Sequence, residues 1–480
     1  DFYVIGDYTE KEKFDMSITK QILTTTALFA AASLSAETFT LNNYNASVNW
    51  NDASVWDVSG ATSQTFPENG GDVVLKGNSS GQYNLTVNGN YKIDSLNVEM
   101  TGSNHYRISI SGSNTLEIAN DSVINSAFNW MQLMFSGTGT LDFKKNLTVK
   151  NDIDDSLKSI VAFGESTQSA LSAFKVGGDL NIQKNTKGEI RVYFNALNVS
   201  IGGKINIASG ATLVFARNTK ELESNLTVGG LEGSGTLVLG FDSGSYYGSK
   251  SVANITITNG GSWQGKFTKY TTHADSRLNV TMDGTGTQNF RVSGYTECEG
   301  ATNSNIIDTL TVKSGVFNYG AGDYVSGSLV LDGGTFSIAA QTDAGSTSPD
   351  IGIARFGSGT LNSGTLLFDI STADASSDKL VFSGKLTKGD GSFGLEFQFD
   401  AEGMKELIES DAAIFEDIIT YESGSDIEDT VLNGVSNGFA WEAVFGATGA
   451  DVTFSVPEPS EIAAVFGLCA LLLVVYRRRK

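Results

Sequence analysis

Short words of alternating polar and aliphatic residues recur along most of this chain and constrain its fold more than any other feature. The order Asn, aliphatic, Thr, aliphatic begins at four positions: Asn84, Asn146, Asn225 and Asn254. In an extended strand the two aliphatic residues of each word lie on one face and Thr lies on the other. With 54 glycines and 4 prolines in 480 residues, turns between such words are frequent. The pattern predicts an all-β body with one buried face per strand.

A second word, Thr-Leu, which in most cases follows a glycine-containing turn, gives this body a period. It begins at Thr115, Thr140, Thr212, Thr236, Thr309 and Thr360, with gaps of 25, 72, 24, 73 and 51 residues. These gaps lie close to multiples of a unit of about 24 residues, as expected for a wound β-solenoid. We therefore predict a right-handed parallel β-helix over residues 37–400. The alternative is a pair of antiparallel β-sandwiches, which also contain short alternating strands.

The pattern of apolar and polar residues changes after residue 400. Six apolar residues fall on one helical stripe, which predicts an acidic amphipathic helix over residues 401–419: Met404, Leu407, Ile408, Phe415, Ile418 and Ile419. Two strand-like runs follow, Phe439–Phe445 and Val452–Val456. We interpret 401–456 as a small α+β cap that closes the last open turn of the solenoid, because exposed strand edges promote aggregation.

One segment near the end of the body resembles part of a known protein family. The strand Thr365 to Ile370, the turn Ser377-Asp378-Lys379 and the strand Gly384 to Thr387 are similar to the final coils of autotransporter passenger domains. The resemblance implies a β-helix. The chain carries a different C-terminal segment from the membrane barrel of that family.

Charge and cysteine content restrict the partners and the chemistry. The net charge is −22, from 54 acidic and 32 basic residues, so we predict no nucleic-acid partner. The two cysteines are Cys298 and Cys469, and Cys469 lies in the apolar C-terminal run. An exported body would therefore hold no internal disulfide, and we interpret Cys298 as a packed thiol.

No catalytic or metal-binding constellation is evident. His105 and His273 are the two histidines, both in polar loop contexts, which argues against a histidine triad or a multi-histidine zinc site. A glycosidase would need two carboxylates, and no pair is marked. The acidic groups considered for calcium do not have a calcium-loop spacing: Asp152, Asp154, Asp155 and Asp390. We predict no catalytic residue, no metal and no cofactor.

Five tryptophans offer a second possible function for the body: Trp50, Trp56, Trp130, Trp263 and Trp441. They could line a sugar-binding platform. Aromatic residues in β-proteins more often fill the core, and we favour that interpretation.

The C-terminal residues form a three-part sorting signal. Pro457-Glu458-Pro459 holds an extended peptide, an uncharged apolar run extends from Ile462 to Tyr476, and four cations follow: Arg477, Arg478, Arg479 and Lys480. This order resembles the bacterial PEP-CTERM signal over residues 457–480. The resemblance implies a transmembrane sorting helix, a cytoplasmic basic stop, and cleavage near the motif by an exosortase-type membrane protease. A plain membrane anchor is the alternative.

The N-terminal residues predict export. Residues 16–36 have one cation, an apolar core from Ile22 to Leu34 and small residues before Ala36, as in a signal peptide cleaved after Ala36. The secretion translocon is the implied partner. Residues 1–15 carry five acids, and we interpret them as an over-extended gene start.

Together these features predict an exported, non-enzymatic surface or extracellular-matrix protein associated with exopolysaccharide. It would be anchored transiently in the inner membrane by its C-terminal segment and then reach the cell surface or the medium. The alternatives are a polysaccharide-active enzyme on a β-helix and an adhesin.

Overall fold

The computed structural model describes residues 37–457 apart from 61, 80, 103–104, 129–132, 153–158, 165–169, 184–189, 216–221, 241–249, 301–303 and 339–350. Over these described residues, 65% of the chain is strand and 3% is helix, and the strands form a β-solenoid of about 10 turns. The all-β class and the solenoid are confirmed. Because the strands of the body pair in parallel, the antiparallel sandwich alternative is wrong.

The first part of the solenoid is built from short strands. They are β1 Thr38–Leu41, β2 Val48–Asn49, β3 Trp56–Ser59, β4 Asp72–Ser79, β5 Tyr83–Val87, β6 Tyr91–Ile93, β7 Ser95–Gly102, β8 Tyr106–Ile110, β9 Thr115–Ile118, β10 Ser122–Phe128, β11 Leu133–Gly137, β12 Thr140–Phe143, β13 Leu147–Lys150, β14 Ser159–Phe163, β15 Ala173–Val176, β16 Leu180–Ile182 and β17 Ile190–Phe194. A 3₁₀ turn, Ala53–Val55, precedes β3.

Several later strands are longer because they continue around the corners of the solenoid. They are β18 Asn198–Ile207, β19 Ala211–Phe215, β20 Leu222–Gly233, β21 Thr236–Gly240, β22 Ser251–Ile257, β23 Gly261–Tyr270, β24 Arg277–Glu297, β25 Thr309–Gly320, β26 Val325–Ile338, β27 Ile353–Ser371, β28 Ser376–Ser377, β29 Lys379–Phe382, β30 Leu386–Lys388 and β31 Phe393–Gln398. The C-terminal part contains helix α1 Ala401–Glu409 and strands β32 Ile414–Thr420, β33 Val431–Ser436, β34 Phe439–Phe445 and β35 Gly449–Ser455.

The turns stack into three parallel walls. The first wall runs through β6, β9, β12, β15, β18, β20, β22, β24, β25, β26, β27 and β30. The second runs through β4, β7, β10, β13 and β16 and then the later parts of the long strands, ending at β31. The third runs through β5, β8, β11, β14, β17, β19 and β21 and continues through the ends of β23 and β24.

Inward side chains stack from turn to turn and form one continuous core. On the third wall Phe135, Phe163, Phe194 and Phe215 are cross-strand partners in sequence, and each is at least 98% buried. The rings of Phe163 and Phe174, which belong to different walls, stack with centroids 3.9 Å apart. Each fully buried side chain of this size stabilises the fold by about 1.5–3 kcal/mol, so stability comes from the stacked interior.

The predicted repeat corresponds to real pairing. Thr140 lies directly beside Thr115 on the first wall, and Thr236 lies beside Thr212 on the third. Glycine is needed where successive corners approach closely, because a Cβ on Gly202 would lie 2.4 Å from the carbonyl oxygen of the glycine at 177. The unit of about 24 residues is therefore one turn of the solenoid.

The autotransporter-like segment forms the first expected strand, but its predicted turn is misplaced. The turn lies at 372–375, Ser377 and Lys379 belong to β28 and β29, and the last strand begins at Leu386 rather than at Gly384. The end of β27 pairs with β28 as a small hairpin, and β29 and β30 follow on the next turn. Asp378, between β28 and β29, is fully buried, and its carboxylate accepts hydrogen bonds from the backbone N–H groups of Gly352 (2.7 Å) and Asp369 (2.8 Å). Asp378 thus ties two adjacent turns of the solenoid together.

The predicted C-terminal helix over 401–419 is wrong in its second half. Helix α1 begins after Asp400, whose side chain accepts the N–H of Gly403, and it ends at Glu409. Asp411 then has a φ of 54°, which no helix continues, and residues 414–420 form β32. β-Branched Ile418 and Ile419 are buried in that strand rather than on a helical stripe.

Strand β32 joins the solenoid to an antiparallel sheet. Ile419 is the cross-strand partner of Leu380 in β29, so β32 adds one parallel strand to the last turn. Its other edge pairs with β35, and β34 and β33 follow. The predicted strand at Phe439–Phe445 is confirmed, the next begins earlier at Gly449, and β33 was not predicted.

Candidate ligand-binding cleft

A small cleft of about 90 Å³ opens on the outer side of the third wall. Strands β17, β19, β21 and β23 line it with Arg191, Tyr193, Thr212, Val214, Thr236, Val238, Gly240, Thr268 and Tyr270. We call this group the cleft. Among the residues that the structure describes, its lining contains one cation and no carboxylate.

The register of the third wall explains why these residues meet. Tyr193, Val214, Val238 and Thr268 are successive cross-strand partners, so they form one row along the rod. Arg191, Thr212 and Thr236 form a parallel row two residues earlier. Because neighbouring strands lie about 4.8 Å apart, residues distant in sequence become neighbours on the surface.

The row that contains Tyr193 and Val214 is almost inaccessible to solvent, although it lies on the outer side of the wall. Tyr193 is 1% exposed and Val214 is 2% exposed, and they belong to a cluster with Met134, Ala162 and Val238 that is separate from the main core. Arg191 and Tyr270 are half-buried at the opening. The cleft therefore has an apolar floor and a polar rim, the usual composition of a small-molecule site.

A buried charged pair lies behind the cleft, inside the solenoid. Lys269 stands between two cleft residues on β23, but its side chain takes the inward position beside Leu239. Its Nζ lies 3.5 Å from Oδ2 of Asp308 and donates a hydrogen bond to the carbonyl oxygen of Asn305 (3.3 Å). Asp308 also accepts the backbone N–H of Leu278 (2.8 Å).

The environment of this pair perturbs several titratable groups. Burial lowers the pKa of the Lys269 ammonium, and the Asp308 carboxylate partly offsets that effect. Burial, followed by the charge of Glu297, raises the pKa of the Tyr295 hydroxyl, which donates to Glu297 Oε2 (3.1 Å). Burial also raises the pKa of the Cys298 thiol. A raised thiol pKa disfavours the nucleophilic thiolate, in agreement with the interpretation of Cys298 as a packed residue.

From β18 onwards, two files of uncharged side chains run along the outer side of the first wall. On the preceding turns the second of these files consists of charged residues: Lys92, Glu117, Asp142 and Lys175. One file is Asn198, Asn225, Asn254, Asn279, Thr309, Ser328 and Ser358, and the other is Ser200, Thr227, Thr256, Thr281, Thr311, Val330, Thr360 and Thr387. We call these two files the polar face. All of its side chains are exposed or half-buried, and none is charged or aromatic.

Hydrogen bonds between amides hold part of the polar face in a fixed arrangement. Asn254 donates to Oδ1 of Asn225 (3.1 Å), and Asn279 donates to Oδ1 of Asn254 (2.9 Å). The neighbouring threonines are β-branched and have restricted χ1 angles. Apart from Val330, which interrupts the second file, the face thus presents amides and hydroxyls at a regular interval of about 4.8 Å along the rod.

The sequence-predicted sorting residues fall almost entirely outside the described residues. Pro457 is the last described residue and is half-buried. The other predicted positions lie outside the described residues: Ala36, Glu458, Pro459, Arg477, Arg478, Arg479 and Lys480. None of the helices in the described part of the chain is long and apolar enough to cross a membrane.

The remaining candidates do not come together. Trp50, Trp56, Trp263 and Trp441 are at least 93% buried, which confirms a core role for these four, whereas Trp130 lies outside the described residues. His273 accepts the N–H of Asp275 within its own loop, between β23 and β24, whereas His105 precedes β8. Both histidines lie outside strands, as expected, and both are half-buried. Within the described ranges, no three His, Cys, Asp or Glu residues cluster closely enough to hold a metal ion.

No family model, curated protein or solved structure matches this chain. The site must therefore be judged on its geometry alone.

Sequence reasoning missed the cleft. One signal was available: in the strand Ile190 to Phe194, the outward positions hold Arg191 and Tyr193 where most strands of the body carry Thr, Ser or Asn. The remaining lining residues come from three later turns, and their alignment depends on the register of the wall.

Proposed function

We propose that this protein is an exported, non-enzymatic structural component of a cell surface or extracellular matrix that associates with exopolysaccharide. The polar face is the observation that carries the proposal. We also propose that the solenoid winds to the right, the hand that parallel crossover connections adopt.

The polar face suits a neutral linear polymer. A chain of 480 residues with a net charge of −22 has an acidic surface, whereas the two files of the polar face carry no charge. Amide and hydroxyl groups donate and accept hydrogen bonds, as sugar hydroxyls do. Many weak contacts repeated along a rod add up to firm attachment, because each contact after the first is intramolecular.

Export and processing belong to the same proposal. The support is the sequence of both ends, with a signal peptide for the secretion translocon and Pro457-Glu458-Pro459 for an exosortase-type protease. The mature rod would then be released from its transient membrane anchor to the surface or the medium.

Co-sedimentation with an insoluble neutral glucan tests the role of the polar face. The exported chain is compared with a variant carrying Thr227→Glu and Thr281→Glu, which places two carboxylates on the face two turns apart. Because a carboxylate under a bound polymer loses its hydration, we expect at least a tenfold loss of binding. The control variant carries Ser383→Glu and Thr453→Glu at exposed positions elsewhere.

The control is expected to bind as the unmodified chain does. Equal binding by all three proteins would show that the polar face does not contact the polymer. Failure of the unmodified chain to bind would contradict the association itself.

A further inference from the structure

We propose that strand β33 is an interaction edge for a second copy of this chain, and that two copies pair antiparallel through it about a two-fold axis at Asn433. The edge belongs to the C-terminal sheet and the polar face to the first wall, so this inference does not rest on polymer binding and either can fail alone.

Strand β33 has an open edge whose backbone groups can be assigned. Among the described strands it pairs with β34 alone. Phe445 on β34 donates its N–H to the carbonyl oxygen of Thr430 (3.0 Å), so hydrogen bonds join the two strands at Thr430 and at every second residue after it. The N–H and C=O groups of Val431, Asn433 and Val435 therefore point away from β34, to the open edge.

The side chains of these three residues make the edge complementary to itself. Val431 is 51% exposed and Val435 is 66% exposed, with exposed Asn433 between them. Two copies paired about Asn433 would place each Val431 opposite the partner's Val435, which is the reciprocal contact that a two-fold interface requires. Pairs of β-branched side chains directly opposite each other stabilise neighbouring strands.

The backbone groups match in the same register. Val431, Asn433 and Val435 would each form a hydrogen-bonded pair with the other copy, and each such pair exchanges two N–H···O bonds. The two Asn433 side chains would meet at the axis, where each amide can donate to the other. Apolar contact and hydrogen bonding thus favour one and the same arrangement.

The distribution of charge permits two acidic chains to meet at this edge. The whole chain has a net charge of −22, whereas β33 contains no charged residue. Glu442 is the outward acid beside Asn433 on β34. In the paired sheet the two Glu442 side chains would lie three strand spacings apart, about 14 Å, which exceeds the Debye length of about 8 Å in physiological salt. By contrast, β3 at the other end of the solenoid carries the exposed Asp57, a charge of the kind that blocks edge pairing.

The edge is held in position by contacts on its inner side. Asn437, in the turn after β33, donates to the carbonyl oxygen of Phe399 (3.2 Å), and the indole N–H of Trp441 donates to Oγ of Ser436 (3.2 Å). Because the strand is already ordered, pairing with a second copy costs little conformational entropy.

Disulfide trapping on the full exported chain tests the register. Residues of a hydrogen-bonded antiparallel pair have Cα atoms about 5.5 Å apart, which is within the range of a disulfide. In a background with Cys469→Ser, we expect Asn433→Cys to form a covalent dimer under mild oxidation. Glu442→Cys is the matched control, because it is exposed on the adjacent strand but distant from its mate, and it should stay monomeric on a non-reducing gel.

Sedimentation equilibrium over a concentration series measures the association itself. Val431→Lys combined with Val435→Lys places like charges opposite each other at the open edge, and we expect the Kd of the dimer to rise by about tenfold or more. Ile414→Lys is the control, because Ile414 is 54% exposed on β32, which β35 and β34 separate from β33. It should dimerise as the unmodified chain does.

Circular dichroism spectra that coincide for all variants exclude misfolding. A monomeric unmodified chain would overturn the proposal, as would equal cross-linking at positions 433 and 442. A dimer that the lysine pair leaves intact would also overturn it, since the copies would then be joined through another part of the chain, such as residues 458–480.

Discussion

Lys269 Nζ and Asp308 Oδ2 lie 3.5 Å apart inside the solenoid, with side-chain exposures of 1% and 4%. Lys269 occupies the inward position that Phe215 and Leu239 hold on the two preceding turns. The apolar column that contains Phe215 and Leu239 is therefore interrupted by a charged pair.

Removing the cation should damage the fold more than removing both charges. We expect Lys269→Met to lower the free energy of unfolding by about 3–5 kcal/mol, because Asp308 would stay buried without its counter-charge. The double variant with Asp308→Asn should recover most of that loss, since no net charge is then buried. Denaturant unfolding of the four proteins in the cycle measures the coupling, and strictly additive effects would contradict it.

Ionisation of Tyr421 should lower the stability of the C-terminal sheet at alkaline pH. Its hydroxyl donates to the carbonyl oxygen of Gly446 (2.7 Å), and burial, with a contribution from Glu428, raises its pKa to about 12. The unfolded chain ionises this group near pH 10, so the stability it contributes is complete below pH 10 and is lost as pH rises through 12. Tyr421→Phe should remove this pH dependence, as measured by unfolding at pH 9 and pH 11.5. Parallel profiles for both proteins would contradict the assignment.

Strand β32 offers a matched pair of substitutions. Ile418 is 1% exposed and Ile414, on the same strand, is 54% exposed. Ile418→Asp should lose the burial energy of a large aliphatic side chain, about 1.5–3 kcal/mol, and add the cost of a buried charge. Limited proteolysis should remove the C-terminal turns first while earlier turns persist, because solenoid stability depends on neighbouring turns.

Ile414→Asp should behave like the unmodified chain. If both variants resist protease equally, residues 401–455 do not protect the end of the solenoid, and the cap interpretation is wrong.

The approximate length of one turn could be predicted from the sequence because some of the recurring words are cross-strand partners. The variation in the number of residues from one turn to the next could not be predicted. Asn225 and Asn254 begin the same word and are cross-strand partners. However, Tyr319 and Ile338 are partners 19 residues apart, whereas Val149 and Ile182 are partners 33 residues apart. Loops of variable length between walls cost little, so no single repeat length is imposed on the sequence.

The C-terminal helix was overpredicted for a physical reason. Phe415, Ile418 and Ile419 fit a helical stripe, yet they also fit a strand with one buried face. Pairing of Ile419 with Leu380 decides between the two, and that contact spans 39 residues. Likewise, the cleft depends on side chains from four separate strands, so local patterns predict only Arg191 and Tyr193 as unusual.

The sorting motif predicts a processing defect. Changing Pro457, Glu458 and Pro459 to alanine removes the two prolines that we expect to hold this peptide extended. We expect a full-length precursor that stays in the membrane fraction, detected by immunoblot against the released form. The control changes Ser460 and Glu461 to alanine and keeps the motif. Normal release of the triple variant would contradict the assignment of an exosortase-type signal.

The central claim is that the rod binds exopolysaccharide without acting on it. The most direct measurement incubates the exported chain with soluble and insoluble polysaccharides and records both the bound protein and the polymer length by size-exclusion chromatography. We predict that the protein is retained on a neutral polymer and that the length distribution of this polymer is unchanged after prolonged incubation. Shortened polymer would identify an enzyme instead, and absence of retention on every polymer would contradict the account.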